Sequence, residues 1–139
     1  MACVEGELGK QIEKLMNESN EEWDKKEYNK SIDKLVQAWD LLPDDKYRYE
    51  ESFMIVWGIL DISILIKDIE TMNKWVDKVF YADPRRYDCG EREMWAGKVA
   101  FETGEMEKAK EYFLIAQKKS GGRCFRGQDR KYYNLVNER

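Results

Sequence analysis

Apolar residues recur along this chain at three- and four-residue spacing and almost never alternate singly, the pattern of one buried stripe on each of several α-helices. The first stretch, roughly residues 5–23, sets Leu8, Ile12, Leu15, Met16 and Trp23 on one side, and Lys25-Lys26 near its end suit a helix C-terminus. The second, roughly 27–42, carries Tyr28, Ile32, Leu35, Ala38, Trp39 and Leu42 and is closed by Pro43. The third, roughly 48–66, is apolar almost all round, which predicts burial between neighbours. The fourth, roughly 68–82, turns Ile69, Met72, Trp75, Val76, Val79 and Phe80 inward and ends at Asp83-Pro84, because the residue before proline is pushed out of helical geometry. The fifth and sixth occupy roughly 90–103 and 106–119, with Ser120-Gly121-Gly122 as the stop. A short seventh, about 128–137, holds Tyr132, Tyr133, Leu135 and Val136. Seven helices and no strand predict an all-α protein.

Small residues inside these helices sharpen the picture. Residues 95–116 read WAGKVAFETGEMEKAKEYFLIA: Ala96 and Gly97 lie inside one helix, Gly104 breaks it, and Ala109, Phe113 and Ala116 space out the next. Small residues on one helix receive the bulk of its partner, so the two pack closely. This stretch resembles a tetratricopeptide repeat, whose pattern runs W-x₂-L-G-x₂-Y, then A-x₃-F, then P. Similar positions recur upstream as Ser31, Leu35 and Ala38, and as Met72, Val76 and Val79, with Ser19 where the first unit wants a small residue. The pairs Lys26-Glu27, Lys67-Asp68 and Gly104-Glu105 each open a second helix. The stops Pro43, Pro84 and Gly121 stand 41 and 37 residues apart, longer than the family's period of about 34. The resemblance implies one TPR-like α-solenoid domain of three helix pairs, about 12–45, 53–86 and 90–122, with a capping helix at about 128–137.

Composition adds limits. At 139 residues the chain fits one domain with a core of its own. The most apolar run, Phe53–Ile66, is shorter than the ~20 residues that span a bilayer and is interrupted by Asp61, and the first residues lack the basic and apolar regions of a signal peptide. A cytoplasmic protein with no membrane contact is expected. Cys3, Cys89 and Cys124 are odd in number and far apart, which predicts reduced thiols and no metal site. The net charge of −4 is uneven: residues 1–83 carry 19 acidic and 11 basic side chains, residues 84–139 carry 9 and 13. The acidic part disfavours nucleic acid and favours a basic partner.

Catalysis finds little support. The chain has no histidine, which removes the commonest general base and every Ser–His or Cys–His pair. No glycine-rich phosphate loop is present, so no cofactor is expected. The acidic pairs Glu21-Glu22, Asp44-Asp45 and Glu50-Glu51 read as solvated charges, since sequence neighbours do not face one point on a helix. Asp61 stands out within the most apolar helix. A bare buried carboxylate costs several kcal/mol, so Asp61 either has a partner or faces an open groove.

In the tetratricopeptide family the first helix of each pair lines the inner face. The resemblance therefore implies partner-binding candidates at Met16, Asn20, Trp23 and Asp24, at Met54, Trp57, Asp61 and Ile64, and at Glu91, Met94, Lys98 and Phe101. Family members that clamp a Glu-Glu-Val-Asp tail use Lys, Asn and Arg there. Asn20 matches one Asn, but Met16, Gly58, Glu91 and Trp95 hold other clamp positions, so that role is not expected. The ending GRCFRGQDRKYYNLVNER resembles the tails of short TPR-like proteins encoded beside polymorphic toxins. The expectation is a non-catalytic protein-binding module, an immunity protein that neutralises a bacterial toxin such as a basic nuclease. The alternative is a scaffold or chaperone for a secretion or regulatory complex.

Overall fold

The computed structural model describes residues 3–82 and 87–137. Among them the chain is all-helical, with seven α-helices: α1 (Gly6–Asp24), α2 (Tyr28–Leu41), α3 (Glu50–Leu65), α4 (Ile69–Trp75), α5 (Glu91–Glu102), α6 (Met106–Ser120) and α7 (Arg130–Asn137). Short 3₁₀ helices follow at Lys46–Arg48, Val76–Phe80 and Arg123–Phe125. The chain forms two compact units, residues 1–83 and 84–139. The expected stop at Asp83-Pro84 lies outside the described residues.

One turn design is used three times. Lys26, Lys67 and Gly104 each adopt a left-handed backbone, with φ of 62°, 58° and 86°. Around Lys26 the amides of residues 26 and 27 donate to the carbonyls of Trp23 and Glu22. Around Lys67 those of residues 67 and 68 reach Ile64 and Ser63, and around Gly104 those of 104 and 105 reach Phe101 and Ala100. This is the Schellman arrangement, which satisfies the last carbonyls of one helix while reversing the chain. The acid that follows opens the next helix each time, with Glu27, Asp68 and Glu105 accepting the amides of Ser31, Met72 and Ala109. Backbone angles at the three acids agree closely: φ −90°, −86° and −88°, ψ 70°, 86° and 69°.

In the first unit, contacts step outward on both sides of the first turn, from Trp23 with Tyr28 to Ser19 with Ser31 to Glu18 with Lys34, so α1 and α2 run antiparallel. Helix α3 packs on α2 and α4. Its glycine, Gly58, allows the approach: a Cβ there would lie 2.9 Å from Leu35 Cδ1. The Lys46 ammonium donates to the carbonyls of Trp39 and Leu42 at 3.0 and 2.7 Å, closing α2 with a cation as the helix dipole favours. Trp39 meets Trp75 edge-on at 5.4 Å.

Two expectations change here. The fourth helix is α-helical only through Trp75 and then tightens to a 3₁₀ helix. In that geometry every third residue shares a face, and Val76 and Val79 fall on it, Val79 fully buried. Helix α3 is not buried all round. Met54, Trp57 and Leu65 remain 49, 44 and 51% exposed, and Asp61 is exposed beside them, because no described element of the first unit covers that side.

In the second unit α5 and α6 form a closely packed hairpin. A Cβ on Gly97 would sit 2.6 Å from two carbons of the Phe113 ring. Met94, Ala100, Ala109, Phe113, Ala116 and Tyr132 build the core, with Phe101, Phe125, Leu135 and Val136 packed against it. Gly121 and Gly122 both take positive φ at the end of α6, as the sequence pattern predicts.

Gly97→Leu should overpack this crossing and cost about 1–3 kcal/mol, read as a lower urea midpoint; an unchanged midpoint contradicts the close contact. The turns give a reciprocal check. A left-handed non-glycine residue costs roughly 1–2 kcal/mol, partly offset by the entropy glycine loses on folding. Lys67→Gly should therefore raise stability by up to about 1 kcal/mol, and Gly104→Lys should lower it by a similar amount.

Candidate functional site

The uncovered side of α3 faces α1 across a groove. One cavity of about 340 Å³ is lined by Met16, Ser19, Asn20 and Trp23 of α1, Ser31 and Leu35 of α2, and Met54, Trp57, Gly58, Asp61 and Ile62 of α3. A second, of about 560 Å³, shares Met16, Asn20 and Met54 and extends to the start of α1 past Lys10, Glu13 and Glu51. The two make one trough, aromatic at one end and charged at the other.

Each wall follows from local sequence. Met16, Asn20 and Trp23 recur at helical spacing on α1, and Met54, Trp57, Gly58 and Asp61 do so on α3. The floor is set by Ser19 and Ser31, both buried. Ser31 Oγ donates to the Ser19 carbonyl and Ser19 Oγ to the Ser31 carbonyl, each at 2.8 Å, with the two hydroxyls 2.8 Å apart. Satisfied hydroxyls let two helices approach without leaving buried polar groups unpaired.

Six of the residues expected at a partner surface meet here: Met16, Asn20, Trp23, Met54, Trp57 and Asp61. Asp24 is exposed just beyond Trp23, and Ile64 is half-buried off the lining. Asp61 resolves toward the open-groove alternative: it is exposed and makes no hydrogen bond or ion pair among the described residues. The other four candidates lie in the second unit and are placed differently. Met94 and Lys98 are covered, at 4 and 6% exposure, and Glu91 and Phe101 are half-buried. Lys98 Nζ lies 4.1 Å from the Trp95 ring centre and donates to Gln128 Oε1 at 2.9 Å, while Phe101 meets Tyr132 of α7 edge-on at 5.2 Å. The short last helix occupies the side of α5 that the repeat pattern leaves open.

Ser19, Ser31, Leu35, Gly58 and Ile62 complete the lining without having been among the expected partner-binding residues. The signal for them was present in the pairing of Ser19 with Ser31 at the helix crossing and in one glycine within an otherwise bulky helix. The acid pair Glu50-Glu51 also departs from the solvated reading. Cys3 Sγ donates to Glu50 at 3.1 Å and the Val4 amide to Glu51 Oε2 at 2.9 Å, tying the N-terminal segment to the start of α3.

Chemically the trough is suited to holding a side chain. Both serine hydroxyls are engaged, and Asp61 is the charged residue among the described residues that line the aromatic cavity. Burial pushes the Cys124 thiol up, against a lowering hydrogen bond from Ser120, which is the reverse of an activated thiolate. Burial, helped by Asp45 and Tyr81, also pushes the Tyr47 hydroxyl up. Among the described residues no cluster of three His, Cys, Asp or Glu is placed to hold a metal, and no helix is long and apolar enough to cross a membrane. No family model matches the chain, and no curated protein or solved structure matches it significantly.

Exposed groove side chains should be separable from the scaffold. Trp57→Ala and Met54→Ala should change stability by no more than about 0.5–1 kcal/mol. Ser19→Leu, at the floor, should cost about 1–3 kcal/mol by overpacking. Chemical denaturation of the three variants checks this; equal losses in all three would mean that the groove walls carry the fold.

Proposed function

We propose that the chain is a tetratricopeptide-like, non-catalytic protein-binding module, and that it acts as an immunity protein by seating part of a bacterial toxin in the groove between α1 and α3. The observation that carries this reading is the state of the groove walls. Trp23, Met54 and Trp57 stay 37, 49 and 44% exposed around one carboxylate. Clustered exposed apolar groups on a folded chain mark a contact surface, and aromatic and Met anchors at the centre of such a surface carry most of its binding energy.

Repeat character is supported by the three matching turns and by what stands at the helix crossings. Seven residues before and five after each left-handed residue come Ser19 with Ser31, Leu60 with Met72, and Gly97 with Ala109. The first and third pairs are small, as close crossings require, and the second is bulky.

A basic toxin domain suits the charge. The groove belongs to the part of the chain with 19 acidic and 11 basic residues, and acidic inhibitors meet basic enzymes faster through long-range attraction. The test is neutralisation. Where a toxin gene neighbours the gene for this chain, co-expression should restore growth, and Trp57→Ala combined with Asp61→Lys should abolish the rescue while leaving thermal stability intact. The association rate should fall between low and high salt. Rescue that survives the double substitution, or a strong partner that is only a chaperone or secretion component, overturns the proposal.

A further inference from the structure

The aromatic cavity of the trough carries more than apolar walls. On α3 Trp57 and Asp61 stand four residues apart, and on α1 Asn20 and Trp23 stand three apart, so each pair shares one helix face. Each wall therefore supplies one indole and one oxygen acceptor, and all four side chains are exposed. The floor is closed. Leu35 is buried against the backbone of Gly58, and the Ser19 and Ser31 hydroxyls are engaged with each other and with backbone carbonyls. An occupant lies on that floor, between the walls.

Both rings are braced by residues outside the lining. Tyr28 meets Trp23 edge-on at 5.2 Å, and the buried Phe53 stands 6.5 Å from Trp57. The space of about 340 Å³ is near the lower end of the roughly 300–1,000 Å³ of small-ligand pockets, which suits one long side chain.

Chemistry then selects among side chains. Asp61 and the Asn20 amide make no hydrogen bond or ion pair among the described residues. An apolar occupant would strip water from the Asp61 carboxylate and leave it unpaired, and an acidic one would be repelled. A lysine ammonium is a compact, strongly hydrated charge. A guanidinium is planar, less hydrated and forked, so its face lies on an indole while its edge reaches a carboxylate and an amide oxygen. The other charged residues described in the trough, Lys10, Glu13 and Glu51, line the second cavity and not this one. The chain already holds one cation by related means: Lys98 Nζ is 4.1 Å from the Trp95 ring centre and donates to Gln128 Oε1 at 2.9 Å. The groove has an indole and an amide oxygen too, and adds a carboxylate.

We infer that the aromatic cavity takes an arginine side chain of the partner protein. Its guanidinium lies between Trp23 and Trp57 and donates to the Asp61 carboxylate and to Asn20 Oδ1, and its aliphatic stem lies along Met16 and Met54. This rests on the reading of the groove as the partner site and names the side chain that the site selects.

The experiment uses the whole chain and a synthetic probe, acetyl-Ala-Arg-Ala-amide, followed by NMR on the tryptophan indole N–H signals. The probe should shift Trp23 and Trp57 saturably and leave the buried Trp39, Trp75 and Trp95 in place. The same peptide with citrulline, which keeps the shape and loses the charge, should bind about tenfold more weakly, the size of one lost charge-assisted contact. The lysine peptide should fall between the two. Asp61→Asn should bring the arginine and citrulline probes level, and because Asp61 is exposed that variant should keep its melting temperature. Equal binding of the two probes to the unaltered chain, an arginine preference that survives Asp61→Asn, or no saturable shift of Trp23 and Trp57 overturns the inference. With the partner protein the two readings separate. Binding weakened by both Trp57→Ala and Asp61→Asn supports both. Binding lost in Trp57→Ala but unchanged in Asp61→Asn leaves the groove standing as the partner site and removes the arginine. Binding unchanged in both variants removes both.

Discussion

The closest approach between two helices joined by a left-handed residue is the constraint on which the rest of this molecule depends. A Schellman turn fixes where the second helix starts and which of its faces returns to the first. Whatever stands at the crossing must then be small, or paired. Gly97 admits the Phe113 ring at a distance no Cβ would tolerate. Ser19 and Ser31 solve the same problem with reciprocal hydrogen bonds. Leu60 and Met72 do not solve it by size, and the helix that carries Met72 is the one that shortens and tightens after Trp75.

The groove is a consequence of the same geometry. With α1 pulled down onto α2 by the serine pair and α3 brought to Leu35 by Gly58, the two outer helices stand as walls over a floor of small side chains. Among the described residues of the first unit no other element lies across them, so Trp23, Met54 and Trp57 remain open. In the second unit α7 does lie across the hairpin, and the matching side of α5 is buried. One design therefore gives a closed face in one unit and an open one in the other, and the difference is whether a further helix lies across that side of the hairpin.

Much of this was legible in the sequence. Six of the seven helices begin and end within two residues of the positions their apolar spacing predicts, because each stop is written in Gly, Pro or a following acid. The recurrence of Lys26-Glu27, Lys67-Asp68 and Gly104-Glu105 foreshadowed the three turns, although only the last contains glycine. The 3₁₀ end of α4 was not legible, since the spacing of Val76 and Val79 fits an α-helical stripe as well as a three-residue one. Nor was the exposure of α3. Hydrophobicity marks a helix as needing cover, but the count of neighbours that provide it belongs to the fold. The same limit explains Met94 and Lys98: Met94 shares the stripe of Gly90 and Gly97 and joins the core with Phe113 and Ala116 of α6, while Lys98 is covered through Gln128 and the ring of Tyr132.

The central claim is that the uncovered α1–α3 groove is where a partner protein binds. Hydroxyl-radical footprinting of the chain alone and in its complex measures this side chain by side chain. Trp23, Met54 and Trp57 should lose most of their reactivity on complex formation, while Tyr87 and Met106, also exposed but in the other unit, should keep theirs. Undiminished oxidation of the three groove residues in the saturated complex would contradict the account.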